Sequence, residues 1–270
     1  MKLALSEIST VNASFAEDVA AYAAAGFDAI GLWEFKLPDD DRANRVLLGS
    51  HGLAVANCVP TIPSILRLGI PGMEGPDDPR ERIDAICGSV HRFAPYEPDC
   101  VICITGPFGN HSPADAKTIV VDGLQRIAAT AREAGARIGL EPIHPSERDS
   151  TSFVNSVADA VALLDEAGLD DVGIMVDTYN LWDDDHAAEW LTANAERVSG
   201  VHIAGRPVNV AGRALPGEAG DRERELVEAL RAGGWDGSLD VEIFSTPEGF
   251  WSLPLDEAAR RAHAAVRVFA

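Results

Sequence analysis

The feature that most constrains the fold of this chain is an alternation of short apolar runs with longer segments of helical periodicity. The apolar runs predict β-strands at 2–8, 27–34, 52–59, 99–106, 136–143, 171–177, 199–205 and 238–244. Several of the intervening segments end in a glycine just before the next strand, as a helix C-cap does. Repeated strand–helix units over 270 residues are typical of a (β/α)8 TIM barrel, an α/β fold. We expect one barrel domain over residues 1–270.

The main alternative is an open, doubly wound sheet. That fold usually has a glycine-rich phosphate-binding turn after its first strand, and the corresponding segment, SEISTVNAS, is not glycine-rich. The glycine-rich segment 212–221, GRALPGEAGD, follows the seventh predicted strand and lacks the strand-to-helix context of a phosphate loop. The barrel is therefore the preferred prediction.

Charge excludes several classes of partner. The chain has 22 Lys and Arg against 43 Asp and Glu, a formal net charge of −21, which repels nucleic acid and anionic lipid. The amino-terminal MKLALSEIS is too short an apolar stretch for a signal peptide, and no run reaches membrane-spanning length. We expect a soluble, cytoplasmic protein. Cys100 and Cys103 share one predicted strand and should face opposite sides of it, as buried apolar residues rather than metal ligands.

Polar side chains interrupt the apolar runs at the ends of the last four predicted strands. They are Glu141 in IGLEPIH, Asp177 in VGIMVDTYNLW, His202 in GVHIAG and Glu242 in LDVEIFS. In a barrel the carboxyl ends of the strands surround the active site, and adjacent strands are only about 4.8 Å apart. Three carboxylates gathered there without a cation would repel one another. Taken singly, each carboxylate could equally be a helix cap or a surface residue, and the histidine could simply be packed in the core. The ordered set predicts one divalent metal ion, with Mn²⁺ preferred and Mg²⁺ or Co²⁺ as alternatives.

These motifs resemble those of the sugar isomerase/epimerase superfamily with a xylose isomerase-like barrel, which includes ketose 3-epimerases, hydroxypyruvate isomerase and inosose dehydratase. The resemblance covers essentially the whole chain and is densest in IGLEPIHP, VDTYNLW, GVHIAG and DVEIFS. It implies a sugar or polyol substrate and one metal ion bound by Glu141, Asp177, His202 and Glu242. The expected chemistry is proton abstraction next to a carbonyl through an enediolate, with Glu141 and Glu242 as general base and acid.

Five further residues are candidates for substrate contact: Glu34, His144, Asn180, Trp182 and Arg213. Asn180 stands where the family usually has a histidine; its amide can bond a hydroxyl but cannot carry a proton near neutral pH. Glu34 matches a strand-two glutamate of the family but also fits a surface carboxylate. Arg213 follows the seventh predicted strand, where Arg206 competes for the same role.

Isomerisation, epimerisation and dehydration share this proton chemistry, and the sequence does not choose among them. One alternative is a lyase, either an inosose-type dehydratase or a C-glycoside-cleaving subunit that acts on a keto-sugar with a second chain. In the second case this chain and its partner would form a hetero-oligomer. In the other cases a homo-oligomer is possible. A DNA-repair endonuclease needs a richer cluster for several zinc ions and a basic face, and seven histidines with a charge of −21 argue against it. A non-catalytic sugar-binding barrel predicts binding without turnover.

Overall fold

The computed structural model describes residues 1–208 and 211–270 and contains a closed barrel of parallel strands that follow sequence order around the ring. The strands are β1 Lys2–Ser6, β2 Ala29–Trp33, β3 Ala54–Val59, β4 Cys100–Cys103, β5 Ile138–Leu140, β6 Gly173–Asp177, β7 Val198–Ile203 and β8 Ser238–Val241. The helices around them are α1 Phe15–Ala25, α2 Asp41–His51, α3 Pro79–Phe93, α4 Pro113–Ala134, α5 Val157–Ala167, α6 Ala187–Ala193, α7 Arg222–Ala232 and α8 Leu255–Val266. The predicted (β/α)8 barrel is confirmed.

The strands end earlier than the apolar runs predict. The runs 136–143 and 238–244 give strands that stop at Leu140 and Val241, so that Glu141 and Glu242 are the first residues beyond them. Pro142 has no backbone N–H to continue the ladder after Glu141. The backbone N–H of Glu141 still donates to Cys103 O at 3.0 Å, which fixes the start of the loop and therefore the position of this carboxylate.

Helix ends follow the predicted local chemistry. The Ser14 side chain accepts a hydrogen bond from the backbone of Glu17, and the Glu17 carboxylate accepts one from the backbone of Ser14, forming a capping box before α1. Helix α1 ends at Gly26, whose φ of 97° is accessible to glycine at little cost. These caps make the connections to the next strand short and well defined.

The inside of the barrel contains a polar layer beneath its carboxyl end. Asp240 on β8 and Asn57 on β3 are both buried there, and Asn57 Nδ2 donates to Asp240 Oδ2 at 3.3 Å. Glycines on the facing strands leave the space for them. A Cβ on Gly31 would lie 2.1 Å from Asp240 Oδ2, and one on Gly200 would lie 2.1 Å from Asn57 Oδ1.

The four cysteines are buried and free. Cys100 packs inside the barrel with Ile102 and Met175, whereas Cys103 packs between the strands and the surrounding helices. Their predicted placement on opposite faces of one strand is confirmed. Within residues 1–208 and 211–270, no helix has both the length and the apolar character needed to cross a membrane.

Candidate metal centre at the mouth of the barrel

Three of the four predicted metal ligands converge at the carboxyl end of the barrel. Asp177 and His202 are direct neighbours in the register of β6 and β7, and Glu141 approaches from the end of β5. Each of these buried residues offers one ligand atom, and these atoms all lie within 4.8 Å of one another. Two carboxylates and an imidazole form a donor set that suits a divalent cation.

Glu242 lies at the edge of this group. Its Oε2 is 3.2 Å from His202 Nδ1 and 2.8 Å from Arg213 Nη1. The carboxylate predicted as the fourth metal ligand is thus adjacent to the imidazole but is paired with an arginine.

Arg213 compensates the negative charge of the cluster. Its Nη2 lies 2.8 Å from Asp177 Oδ2, while Nη1 makes the contact with Glu242. The guanidinium packs over the rings of Tyr179 and Phe244, at 4.6 and 5.0 Å from their centroids, in favourable cation–π geometry. The structure therefore places Arg213 in the site, where it bridges two carboxylates across the mouth of the barrel.

Asn180 connects two of the clustered carboxylates. Its Nδ2 donates to Glu141 Oε1 at 3.0 Å and to Asp177 Oδ2 at 2.9 Å, and its Oδ1 accepts from the backbone N–H of His144 at 3.3 Å. Both amide hydrogens are therefore committed to the cluster. This arrangement favours a positioning role for Asn180 over the substrate contact expected from the sequence.

The environments of the two predicted catalytic glutamates shift their pKa values apart. Burial, reinforced by the nearby Asp177, raises the pKa of Glu141 to about 8. Burial also acts to raise the pKa of Glu242, but His202 and Arg213 outweigh it and lower that pKa. A pair of carboxyl groups with opposite shifts is a common basis for dividing acid and base roles.

His202 has the environment expected of a cation ligand. Both ring nitrogens are buried and lack a hydrogen bond of good geometry among the described residues, although carboxylate oxygens lie 3.2 Å from Nδ1 and 3.5 Å from Nε2. A buried polar atom without a partner is costly, and a cation bound to one of these nitrogens would satisfy it. The residues present therefore fit a metal ion.

Glu34 is directed away from the cluster. Its Oε2 accepts hydrogen bonds from the Thr61 backbone at 2.9 Å and from the Ser89 hydroxyl at 2.7 Å, and its Oε1 lies 3.6 Å from Arg92. Its neighbour Trp33, not Glu34, lines the cavity over the cluster. Because partners in α3 and in the loop after β3 hold the carboxylate, the structure does not support the predicted substrate contact.

His144 and Trp182 also lie outside the cavity lining among the described residues. His144 Nδ1 is 2.7 Å from Ser146 Oγ, and Nε2 is 3.0 Å from Asp183 Oδ2, so that both nitrogens are engaged in the loop. Trp182 lies beside Gly220. For His144 the structure shows loop contacts that compete with substrate binding, whereas the substrate contact of Trp182 stays a prediction.

Two buried carboxyl groups near the site were missed from the sequence. Asp240 lies 3.5 Å from His202 Nε2, and Glu7 accepts a hydrogen bond from the backbone of Trp33 at 2.8 Å. A signal for Asp240 was present, because residues two apart in a strand share a face and Glu242 follows it by two. A carboxylate placed like Asp240, beside the outer nitrogen of a histidine, can orient that histidine toward a metal ion.

The pKa of Glu7 gives a stability prediction. Burial is the main cause that raises it from 4.5 to about 8. The folded protein therefore keeps a proton that the unfolded chain releases, and the free energy of unfolding should fall between about pH 5 and pH 8, by up to ~1.4 kcal/mol per pH unit. Glu7→Gln removes the titrating carboxyl group and with it this loss of stability. In thermal scans with EDTA, the Tm of the variant minus that of the wild type should therefore increase as the pH is raised from about 5 to 8. Glu228→Gln, at an exposed position of α7, is the control, and its Tm difference from wild type should not change with pH. A Tm difference for Glu7→Gln that is also independent of pH would contradict the prediction.

The role of Asn180 can be tested by metal binding. Asn180→Ala frees two carboxylates of the cluster and should weaken Mn²⁺ affinity by roughly 10–100-fold, the usual effect of losing a group that orients metal ligands. Isothermal titration would measure this change. Asn44→Ala removes another buried asparagine, which bonds Pro38 and Tyr96 far from the cluster, and should leave the affinity unchanged. Equal Mn²⁺ affinities for Asn180→Ala and wild type would show that Asn180 does not position the ligands.

A cavity of about 340 Å³ opens above the cluster, lined by Glu141, His202, Asn180, Arg213 and Glu242 together with many apolar side chains. The carboxyl groups and the imidazole therefore face a space large enough for a small organic molecule, as an active site requires.

Solved structures share this architecture over their full length. Protein SMc04130 from Sinorhizobium meliloti 1021 superposes with a TM-score of 0.85 at 23% identity, over 100% of this chain and 98% of that one. The IolI protein, whose structure has a bound zinc atom, gives 0.81 at 20% identity, with 100% and 98% coverage. The 3-keto-D-glucoside 4-epimerase of E. coli gives 0.78 at 20% identity, with 99% coverage of both chains. At these identities the likeness establishes the fold.

A search of curated proteins finds no match to the sequence. Residues 19–268, however, match the family described as xylose isomerase-like TIM barrel. This match covers most of the chain and agrees with the resemblance expected from the strand-end motifs. The protein belongs to the xylose isomerase-like TIM barrel family.

Proposed function

We propose that this protein is a divalent-metal-dependent sugar isomerase or epimerase that moves a proton at a carbon next to a carbonyl. The observation that carries the proposal is the buried group of Glu141, Asp177 and His202, with ligand atoms within 4.8 Å of one another, at the floor of a cavity. The name of the E. coli neighbour, a 3-keto-D-glucoside 4-epimerase, and the zinc atom in IolI support the same reading.

Glu141, Asp177 and His202 would hold the metal ion, with Glu242 completing the set. We propose Mn²⁺ as the physiological ion, because hard oxygen donors dominate the site. When bound, a divalent ion polarises a carbonyl oxygen and makes the adjacent C–H more acidic. The ion would compensate the charge of Asp177, so that Nη2 of Arg213 becomes available to bond a substrate oxygen while Nη1 stays on Glu242.

Glu242 and Glu141 are the groups we assign to proton transfer. Oε2 of Glu242 is engaged by Arg213 and His202, and Oε1 of Glu141 accepts from Asn180. The other oxygen of each carboxyl group is therefore the one assigned to take or return a proton. Since β5 and β8 are separated by two strands, the two groups approach a bound molecule from different sides, as an acid and a base do in epimerisation.

Screening small carbonyl compounds tests this function. The purified protein is incubated in D₂O with Mn²⁺ and with ketoses, inososes or 3-keto-glycosides, and NMR follows deuterium uptake and product. An epimer or isomer labelled next to the carbonyl, absent with EDTA, is the expected result. A dehydrated product would instead identify the lyase alternative, and metal-independent binding without exchange would overturn the enzymatic proposal.

A further inference from the structure

The cavity above the candidate metal centre has a wall that is mostly apolar. Trp33, Ile102, Ile104 and Phe244 line it from the barrel strands and the segments that follow them. The loop between β3 and α3, residues 60–78, adds four more apolar residues: Pro63, Leu68, Ile70 and Met73. The clustered carboxylates and the imidazole form the floor, so that one end of a ligand would meet the charged cluster and the other would meet a surface that is mostly hydrocarbon.

The loop that supplies part of this wall is held in place. Arg82 of α3 is fully buried and donates to Ser64 O at 2.8 Å and to Pro76 O at 2.9 Å. Gly69 N donates to Ser150 O at 2.7 Å, which ties the middle of the loop to the β5–α5 connection. The apolar wall is therefore preformed and does not depend on ligand-induced collapse.

Polar groups on the wall are few. Outside the cluster with Arg213 and Asn180, the polar side chains that line the cavity among the described residues are Glu147, Thr151 and Tyr179. The Thr151 hydroxyl donates to Glu147 at 3.3 Å, and the indole N–H of Trp33 donates away from the cavity to Ser6 at 3.0 Å. A polyol chain placed against this wall would exchange hydrogen bonds with water for contacts with hydrocarbon, which disfavours binding.

We propose that the substrate is a sugar-derived α-hydroxycarbonyl compound that carries an aryl group, with its oxygens at the cluster and its ring against the apolar wall. This inference rests on the proposed function, because the oxygen-rich end is assigned to the metal centre. It deepens that function by naming a substrate class with one chelating end and one apolar, ring-sized end. Shape and chemistry agree, since edge-to-face packing of Trp33 and Phe244, with ring centroids 5.7 Å apart, gives an aromatic surface on which another ring packs well.

Three hydroxamic acids test the preference, because they present the same two chelating oxygens and differ in the attached group. Benzohydroxamic acid carries a phenyl ring, acetohydroxamic acid a methyl group, and D-erythronohydroxamic acid a polyol chain. With Mn²⁺-loaded protein, after correction for chelation of free Mn²⁺, isothermal titration should show benzohydroxamate binding at least about tenfold more tightly than acetohydroxamate. Erythronohydroxamate should bind no more tightly than acetohydroxamate.

A variant of the wall makes the test specific. Ile70 is half-buried, so that Ile70→Gln adds a polar amide without emptying the core, and it should lower the phenyl preference by at least about threefold. Val46→Gln changes an exposed residue of α2 and should leave the preference intact. A polyol preference, or equal affinity for phenyl and methyl, would overturn the inference while leaving chelation at the metal centre standing.

Failure of the metal centre itself would give a different pattern, in which no hydroxamate binds in an Mn²⁺-dependent way. Saturation-transfer NMR on EDTA-treated protein then decides the inference separately. Benzyl alcohol should receive saturation, less so with Ile70→Gln, and erythritol should not. Saturation of erythritol but not of benzyl alcohol would overturn the aryl assignment.

Discussion

Glu242→Gln and Glu141→Gln are each expected to lower turnover by at least ~10²-fold, the usual scale of losing a general acid or base. Glutamine preserves side-chain volume and keeps one oxygen near the metal position, but it cannot accept a proton at neutral pH. Both variants should still bind substrate and retain some metal. Turnover and deuterium exchange from D₂O, measured on a compound identified by the screen, check this prediction.

Exchange in the two variants separates the possible reactions. In an epimerase, loss of one carboxyl group should stop deprotonation of one stereoisomer before the other, and exchange in the two directions becomes unequal. An isomerase or dehydratase that uses a single base should show one silent variant and one that still exchanges. Glu228→Gln, which changes an exposed carboxylate of α7, is the matched control. Wild-type exchange in both test variants would leave Glu141 and Glu242 as ligands only.

Arg213→Met should lower the free energy of unfolding by about 3–5 kcal/mol in the presence of EDTA, the usual effect of removing one partner from a buried ion pair. The guanidinium contacts both Asp177 and Glu242, at 2.8 Å from each, and methionine preserves only its packing. Saturating Mn²⁺ should restore part of the lost stability, because a bound cation replaces the missing charge and stabilises the folded state by mass action. Urea unfolding with EDTA and with Mn²⁺ measures both effects.

Arg206→Met provides the comparison for Arg213→Met. Its guanidinium also packs over Tyr179, at 4.5 Å from the ring centroid, but its hydrogen-bond partners are His144 and Ser146. Arg206→Met should lower the free energy of unfolding less than Arg213→Met does. Mn²⁺ should stabilise the Arg206→Met variant no more than it stabilises the wild type. Equal losses for the two variants would indicate that packing on Tyr179, not charge compensation, accounts for the effect of Arg213.

The barrel could be predicted from the sequence because its signal is distributed over the whole chain. Alternating apolar runs and capped helices such as α1, which begins after Ser14 and ends at Gly26, report local structure directly. Strand order then follows from short connections between successive units. The convergence of Glu141, Asp177 and His202 was predictable for the same reason, since strand ends meet at one edge of a closed barrel.

The orientation of individual side chains could not be predicted in this way. Glu34 follows β2, yet Ser89, a residue 55 positions away in sequence, fixes its carboxylate, and Asp183, 39 positions away, engages His144. These distant hydrogen-bond partners are determined by how helices and loops pack against one another. The periodicity of apolar residues along the sequence carries no information about that packing. Asn180 was expected to contact substrate, whereas its hydrogen bonds to Glu141 and Asp177 depend on the positions of those carboxylates in space.

Asp240 is a buried site residue whose signal in the sequence is weaker than that of the strand-end residues. The prediction from the sequence rests on the last polar residue of each apolar run, and Asp240 comes one position before the last residue of β8. Alternation along the strand places it on the face of Glu242, and Gly31 on β2, two strands away around the ring, leaves the space that its carboxylate fills. Small residues facing a polar one are thus a second, weaker signal of a buried polar layer.

The measurement that tests the central claim most directly is the metal content of the protein after dialysis against Mn²⁺. Elemental analysis should find about one ion per chain in the wild type and essentially none in Asp177→Ala, which loses a ligand from the buried cluster. Circular dichroism shows whether that variant is folded, and Asp183→Ala, outside the cluster, should keep its ion. A wild-type protein that retains no ion, or an Asp177→Ala variant that retains as much as wild type, would contradict a metal centre at the mouth of this barrel.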